Sequence, residues 1–237
     1  MTLDYDGAEN TPKSMGTDSS QPSSPLYNIL NDSQISQFCN DWNKTEKWVK
    51  KGENINGNVV LPSINEMRYA GRRLVDAFEA AEKNDAEAAM RHFSEARDNL
   101  IKARHDAVDS IIHHFSENTN KYRENLGAGN LQKHFSEYGT LFSLLKNIES
   151  EISNSREKRE NRDTIYGKIM QKDLPKLCEL YSSLDASIPA IEQNIKKEDR
   201  HRAEEMQQMA TTRSISIWIA IISSIIAIIG WAIVITR

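Results

Sequence analysis

His105, Asp109 and His113 are spaced four residues apart, the spacing that puts metal ligands on one face of a helix. Imidazole with carboxylate suits zinc or iron. The helical register argues against that use. Met90, Phe93, Leu100, Val108, Ile111 and Phe115 define the apolar face of the same segment. The His-Asp-His stripe lies about 140° away on the helical wheel. Arg91, Asp98 and Lys102 share that side, so the sequence predicts a solvated charged face with local ion pairs and no metal site.

Arg97 and Arg104 pose the opposite problem, because they fall in the middle of the apolar face. A buried guanidinium needs a carboxylate or must reach out to water. The expected partner is Glu149, on the apolar face of a later helix with Phe135, Tyr138 and Phe142. Asp76, Glu79 and Glu192, at face edges, are alternatives. The expectation is a buried polar network of Arg97, Arg104 and Glu149 that fixes helix register. A cationic pocket for a phosphorylated or acidic ligand is the functional alternative.

No other constellation supports catalysis. The sequence has no nucleophile elbow, no phosphate-binding glycine loop and no HExxH helix. The neighbouring pairs Arg104-His105 and His113-His114 complete no nuclease arrangement. The chain is expected not to be an enzyme and to need no cofactor. Its 237 residues carry a formal net charge of −4, which gives no basic face for nucleic acid. Cys39 and Cys178 are expected as free thiols in a reducing compartment.

The elements that must position these residues are helical throughout. Residues 1–25, rich in Ser, Asp, Gly and Pro, read as a flexible tail. Residues 26–61 hold an amphipathic helix over 33–51, with Ile35, Phe38, Trp42 and Val49 on one face, capped by Asp32 or Ser33 and stopped by Gly52. Residues 62–200 read as the bundle. Ser63 and Glu66 have the spacing of a capping box for a helix over 64–82. Asp85 can cap a long helix to about Asn118, and a third helix starts at Leu131. Residues 153–163 are wholly polar. Asp173, with Pro175 in the first turn, opens a last helix that Pro189 should kink. Residues 201–213 form a juxtamembrane linker.

Residues 214–236 carry no charge over 23 positions. As a helix they extend about 34 Å, enough to cross a hydrocarbon core of about 30 Å. Arg213 and Arg237 bracket the run, and Trp218 and Trp231 sit toward its ends, where indole rings favour the membrane interface. Ser216, Ala220, Ser223, Ala227 and Gly230 form one stripe of small residues, the surface on which helices approach closely in lipid. The fold class expected is all-α: an up-and-down bundle of about four helices plus an N-terminal amphipathic helix, with one C-terminal transmembrane helix.

A helical domain ending in such an anchor resembles a SNARE protein in outline. Pro175, Pro189 and the polar stretch over 196–213 interrupt the heptads that a SNARE would run into the membrane. No family is assigned. The expected partners are the lipid bilayer, a second copy of the chain and an unidentified protein. The expected function is a single-pass, tail-anchored protein with its N-terminal domain in the cytoplasm, in a membrane the sequence does not name. That domain would act as an interaction, scaffold or sensor module. The alternative is a membrane-perturbing effector, toxin-like or defence-like, whose anchors assemble when the cytoplasmic domain is triggered.

Overall fold

A computed structural model describes residues 26, 29–157 and 159–235, with side chains except at 159 and 225–235. Every element is helical, and no strand occurs among the described residues. The flexible tail expected over 1–25 lies outside them.

Helix α1 spans Asp32–Asn56. Its cap is Asn31, one residue earlier than expected. The Gln34 N–H donates to Asn31 Oδ1 at 2.8 Å, and the Asn31 N–H donates to Gln34 Oε1 at 3.0 Å. That is a reciprocal capping box. The helix does not stop at Gly52. A Cβ at this position would lie 3.3 Å from Val60 Cγ2 and 3.4 Å from the Ala107 carbonyl oxygen. The glycine serves close packing rather than termination.

Helix α2 spans Leu61–Glu82, with Pro62 in its first turn. It begins before the expected capping box. Ser63 is therefore buried inside the helix, and its hydroxyl has no hydrogen-bond partner among the described residues. The helix ends at Asn84, which has a φ of 60°. The Asp85 N–H reaches the Ala80 carbonyl and the Asn84 N–H reaches the Ala81 carbonyl, closing a Schellman motif. Asp85 then caps α3, Ala86–Leu126, by accepting the Ala88 N–H at 3.0 Å. At 41 residues α3 runs well past Asn118.

Gly127, with a φ of 79°, leads into α4, Ala128–His134. Phe135 is extended, so the single helix expected from Leu131 is divided, and α5 spans Tyr138–Glu157. A short 3-10 turn, Arg159–Asn161, precedes α6, Arg162–Lys168. A π-turn, Ile169–Asp173, joins α6 directly to α7, Leu174–Ile235. The sequence reading starts a new helix at Asp173, but the chain does not break there. Buried Tyr166 and Ile169 must face the core together with buried Leu174 and Leu177. The five-residue step from Ile169 to Leu174 would be about 140° out of phase in an α-helix. The π-turn corrects the phase, with the Leu174 N–H donating to the Ile169 carbonyl. Helix α7 continues through Pro189.

The chain divides into two compact units: Met1–Val49 with Leu61–Arg104, and Lys50–Val60 with His105–Arg237. In the first, Leu26, Leu30 and Phe38 join Ala70, Ala77, Ala81, Phe93, Ala96 and Leu100 in one apolar cluster. Phe38 lies 5.3 Å from Phe93 between ring centroids. The N-terminal amphipathic helix is thus part of the core of this unit rather than an addition to a bundle. In the second, Ile111 and Phe115 of α3, Leu141, Leu145 and Ile148 of α5, and Leu177, Leu180 and Leu184 of α7 are all buried. Phe115 stacks on Tyr181 at 4.4 Å.

Candidate functional site

Within the first unit, Arg97 and Arg104 meet at one carboxylate, that of Asp41 on α1. Arg97 Nη2 lies 3.3 Å from Oδ2, and Arg104 Nη1 lies 3.5 Å from Oδ1. Seven residues separate the two arginines along α3, two helical turns, so both project toward α1. Thr45 continues the link, its hydroxyl lying 2.7 Å from the Asp41 carbonyl and 3.2 Å from the Leu100 carbonyl. The arginine side chains are 31% and 10% exposed, and that of Asp41 is 20% exposed. Glu149 is not their partner. It belongs to the second unit, where it pairs with Lys146 at 2.6 Å. Burial raises the Glu149 pKa, but hydrogen bonds from Lys146 and Ser116 and the Lys146 charge outweigh it and leave the carboxyl below its ordinary range. Asp76 instead engages Arg72 and Arg73.

In the second unit, His105 and Asp109 of the His-Asp-His stripe are covered rather than solvated. His105 is 4% exposed and stacks on Tyr166 of α6, with ring centroids 3.9 Å apart. Its Nε2 lies 3.3 Å from Asp163 Oδ1. Asp109 accepts the Tyr166 hydroxyl at 2.6 Å and the Arg156 guanidinium at 2.9 Å. Burial and the hydrogen bond to Asp109 raise the Tyr166 pKa far above the usual phenol range. Helix α3 is covered here on more than one side, by α6 as well as by apolar neighbours, so a single apolar face does not mark all of its buried positions. His113 is exposed and does not join the cluster. Among the described residues, no group of three or more His, Cys, Asp or Glu could hold a metal ion.

The third region is the outer part of α7. Every described residue from 199 to 224 is exposed. Ile215, Ile217, Trp218, Ile219, Ile221 and Ile222 range from 44% to 63% exposed. Ser216 turns its hydroxyl onto the Thr212 carbonyl at 3.0 Å, within its own helix. Arg213, Ala220 and Ser223 are exposed as well. The side chains of Ala227, Gly230 and Trp231, and all of Arg237, lie outside the described residues. Among the described residues, no helix is long and apolar enough to cross a membrane.

No protein-family model matches the chain, and neither a curated protein nor a solved structure does. Sequence reasoning passed over Asp41 and Thr45 in the first of these clusters and Arg156, Asp163 and Tyr166 in the second. Asp41 had a signal: it lies three residues after Phe38 and next to Trp42, beside the apolar face of α1.

Proposed function

We propose that the chain is a tail-anchored membrane protein whose cytoplasmic helical bundle acts as a protein-interaction, scaffold or sensor module, and whose C-terminal helix self-associates. The observation that carries this reading is the exposed apolar end of α7. Helix α7 is unbroken from Leu174 to Ile235, and Ile215, Ile217, Trp218, Ile219, Ile221 and Ile222 in its outer part are exposed. A contiguous apolar surface of this kind is stable in water only when lipid or another protein covers it. Lipid fits the chemistry best, because the uncharged run from Ser214 to Thr236 leaves no polar face for water on any side of the helix.

The test is membrane fractionation of the full chain and of a chain ending at Arg213. The full chain should stay with membranes through alkaline carbonate extraction, and the truncated chain should not. A full chain released by carbonate would overturn the anchor. Self-association is tested separately by cross-linking in the membrane, where Ala220→Leu with Ala227→Leu should lower the dimer yield. The effector reading makes a further demand. Overexpression must arrest growth, and the same two substitutions must relieve the arrest.

A further inference from the structure

Between Asp199 and Arg213 the sequence DRHRAEEMQQMATTR holds two large apolar residues, Met206 and Met209. They are 70% and 67% exposed, the highest values among the large apolar side chains described. Single exposed apolar residues are ordinary on a protein surface. The phase of these two is the informative part. Met209 stands seven residues before Ser216, which stands seven before Ser223 and fourteen before Gly230. Met206 stands fourteen residues before Ala220 and twenty-one before Ala227. Positions seven apart recur on one seam when two helices coil around each other. Helix α7 is unbroken from Leu174 to Ile235, so the methionines and the small-residue stripe share one continuous phase. Arg213 is the seam position between them, and it is exposed at the edge of the uncharged run, where its long stem can carry the guanidinium out to water. Upstream, the next seam positions are Asp199 and Arg202, which pair with each other at 3.7 Å within the helix, so the apolar seam begins at Met206.

We propose that Met206 and Met209 form the water-side end of a parallel, two-stranded seam with a second copy of this chain, continuous with the stripe through Ser216, Ala220 and Ser223. This rests on the self-association proposed for the C-terminal helix, and gives it an orientation and a contact outside the lipid. The shared phase selects a second copy as the occupant. Two copies anchored with the same polarity set like residues level with each other, Met206 beside Met206 and Ala220 beside Ala220. An unrelated partner imposes no such relation between a site in water and a stripe in lipid. Methionine suits a seam of uneven width. Helices that touch through small residues approach closely, and the longer, unbranched thioethers keep contact where the backbones stand further apart. Glu204, Gln208 and Thr211 lie on the opposite face of the same turns and stay in water.

The experiment uses the full chain in membrane vesicles, with Cys39→Ser and Cys178→Ser so that a cysteine introduced on α7 is the only thiol. Under mild oxidation, Met206→Cys and Met209→Cys should each form disulfide dimers, about fivefold more than Gln208→Cys or Thr211→Cys on the opposite face. Ala220→Cys in the same background reports the contact within the lipid. Where the background without native cysteines does not fold, a photo-cross-linking residue at 206 or at 208, in the chain with its own cysteines, gives the same comparison. Dimers through position 220 with equal yields at 206, 208, 209 and 211 overturn the seam and leave the transmembrane contact standing. No dimer at 220 overturns the self-association on which the seam rests, and the seam with it. Cross-links from 206 that join a different protein in place of a second copy also overturn the seam.

Discussion

Asp41 joins α1 to α3 through two guanidiniums, so losing it removes a counter-charge from both. Breaking a mostly buried pair from one side leaves an uncompensated charge, and Asp41→Ala should cost about 2 kcal/mol in a denaturation experiment on the full chain. Glu149→Gln removes a half-exposed pair with Lys146 and should cost under about 1 kcal/mol. The sequence reading places Glu149 in the buried network, so the two measurements together decide which carboxylate holds the arginines. The tyrosines give a second test. Tyr122, Tyr138, Tyr166 and Tyr181 all have raised pKa values, with burial as the first cause in each. A phenol whose folded pKa is raised stabilises the fold fully below its unfolded pKa of about 10 and loses that contribution as pH rises beyond it. The melting temperature should therefore fall above about pH 10, and Tyr166→Phe should flatten that fall. An equally steep fall in Tyr166→Phe would remove Tyr166 from the account. The burial of Arg104 was legible, because position alone placed it on an apolar face. Its partner was not, because α1 had been set apart from the bundle.

At the scale of elements, caps and phase decide where helices begin and bend. Asp85 was readable as a cap because a short polar break precedes it and an apolar period follows. The stop at Gly52 was misread, since glycine marks both helix ends and close helix crossings. Gly52→Leu should destabilise strongly, because its side chain meets Val60 and the Ala107 backbone rather than open space. The melting temperature of that variant checks this. The π-turn was also written in the sequence, as the five-residue gap between Ile169 and Leu174 in an otherwise three-and-four pattern. The polar stretch before it and Pro175 after it made a loop the simpler reading. Deleting Gln171 should turn Tyr166 and Ile169 out of phase with Leu174 and Leu177. Loss of cooperative unfolding is expected, whereas a deletion that melts like the parent would mean the extra residue is not needed.

At the scale of the whole chain, the all-helical class followed from periodicity, and the exposed end of α7 followed from an uncharged run with no polar face. The division into two units was harder to see. Two of its boundaries, after Val49 and after Arg104, fall inside α1 and α3, where no proline or glycine pair marks them, and the third falls in the turn between α1 and α2. If the outer part of α7 is a tether, chains ending at Arg213 should keep the melting temperature of the folded units, because no residue beyond 198 is buried among those described. A large drop would mean that the tail supports the fold. Those exposed residues have one more consequence. From Asp199 to Arg213 the helix rises about 22 Å with every residue exposed. In an anchored protein that distance is a clearance. A lone helix or an extended peptide could slide beneath the folded part and lie along the lipid, while a globular domain would be held outside.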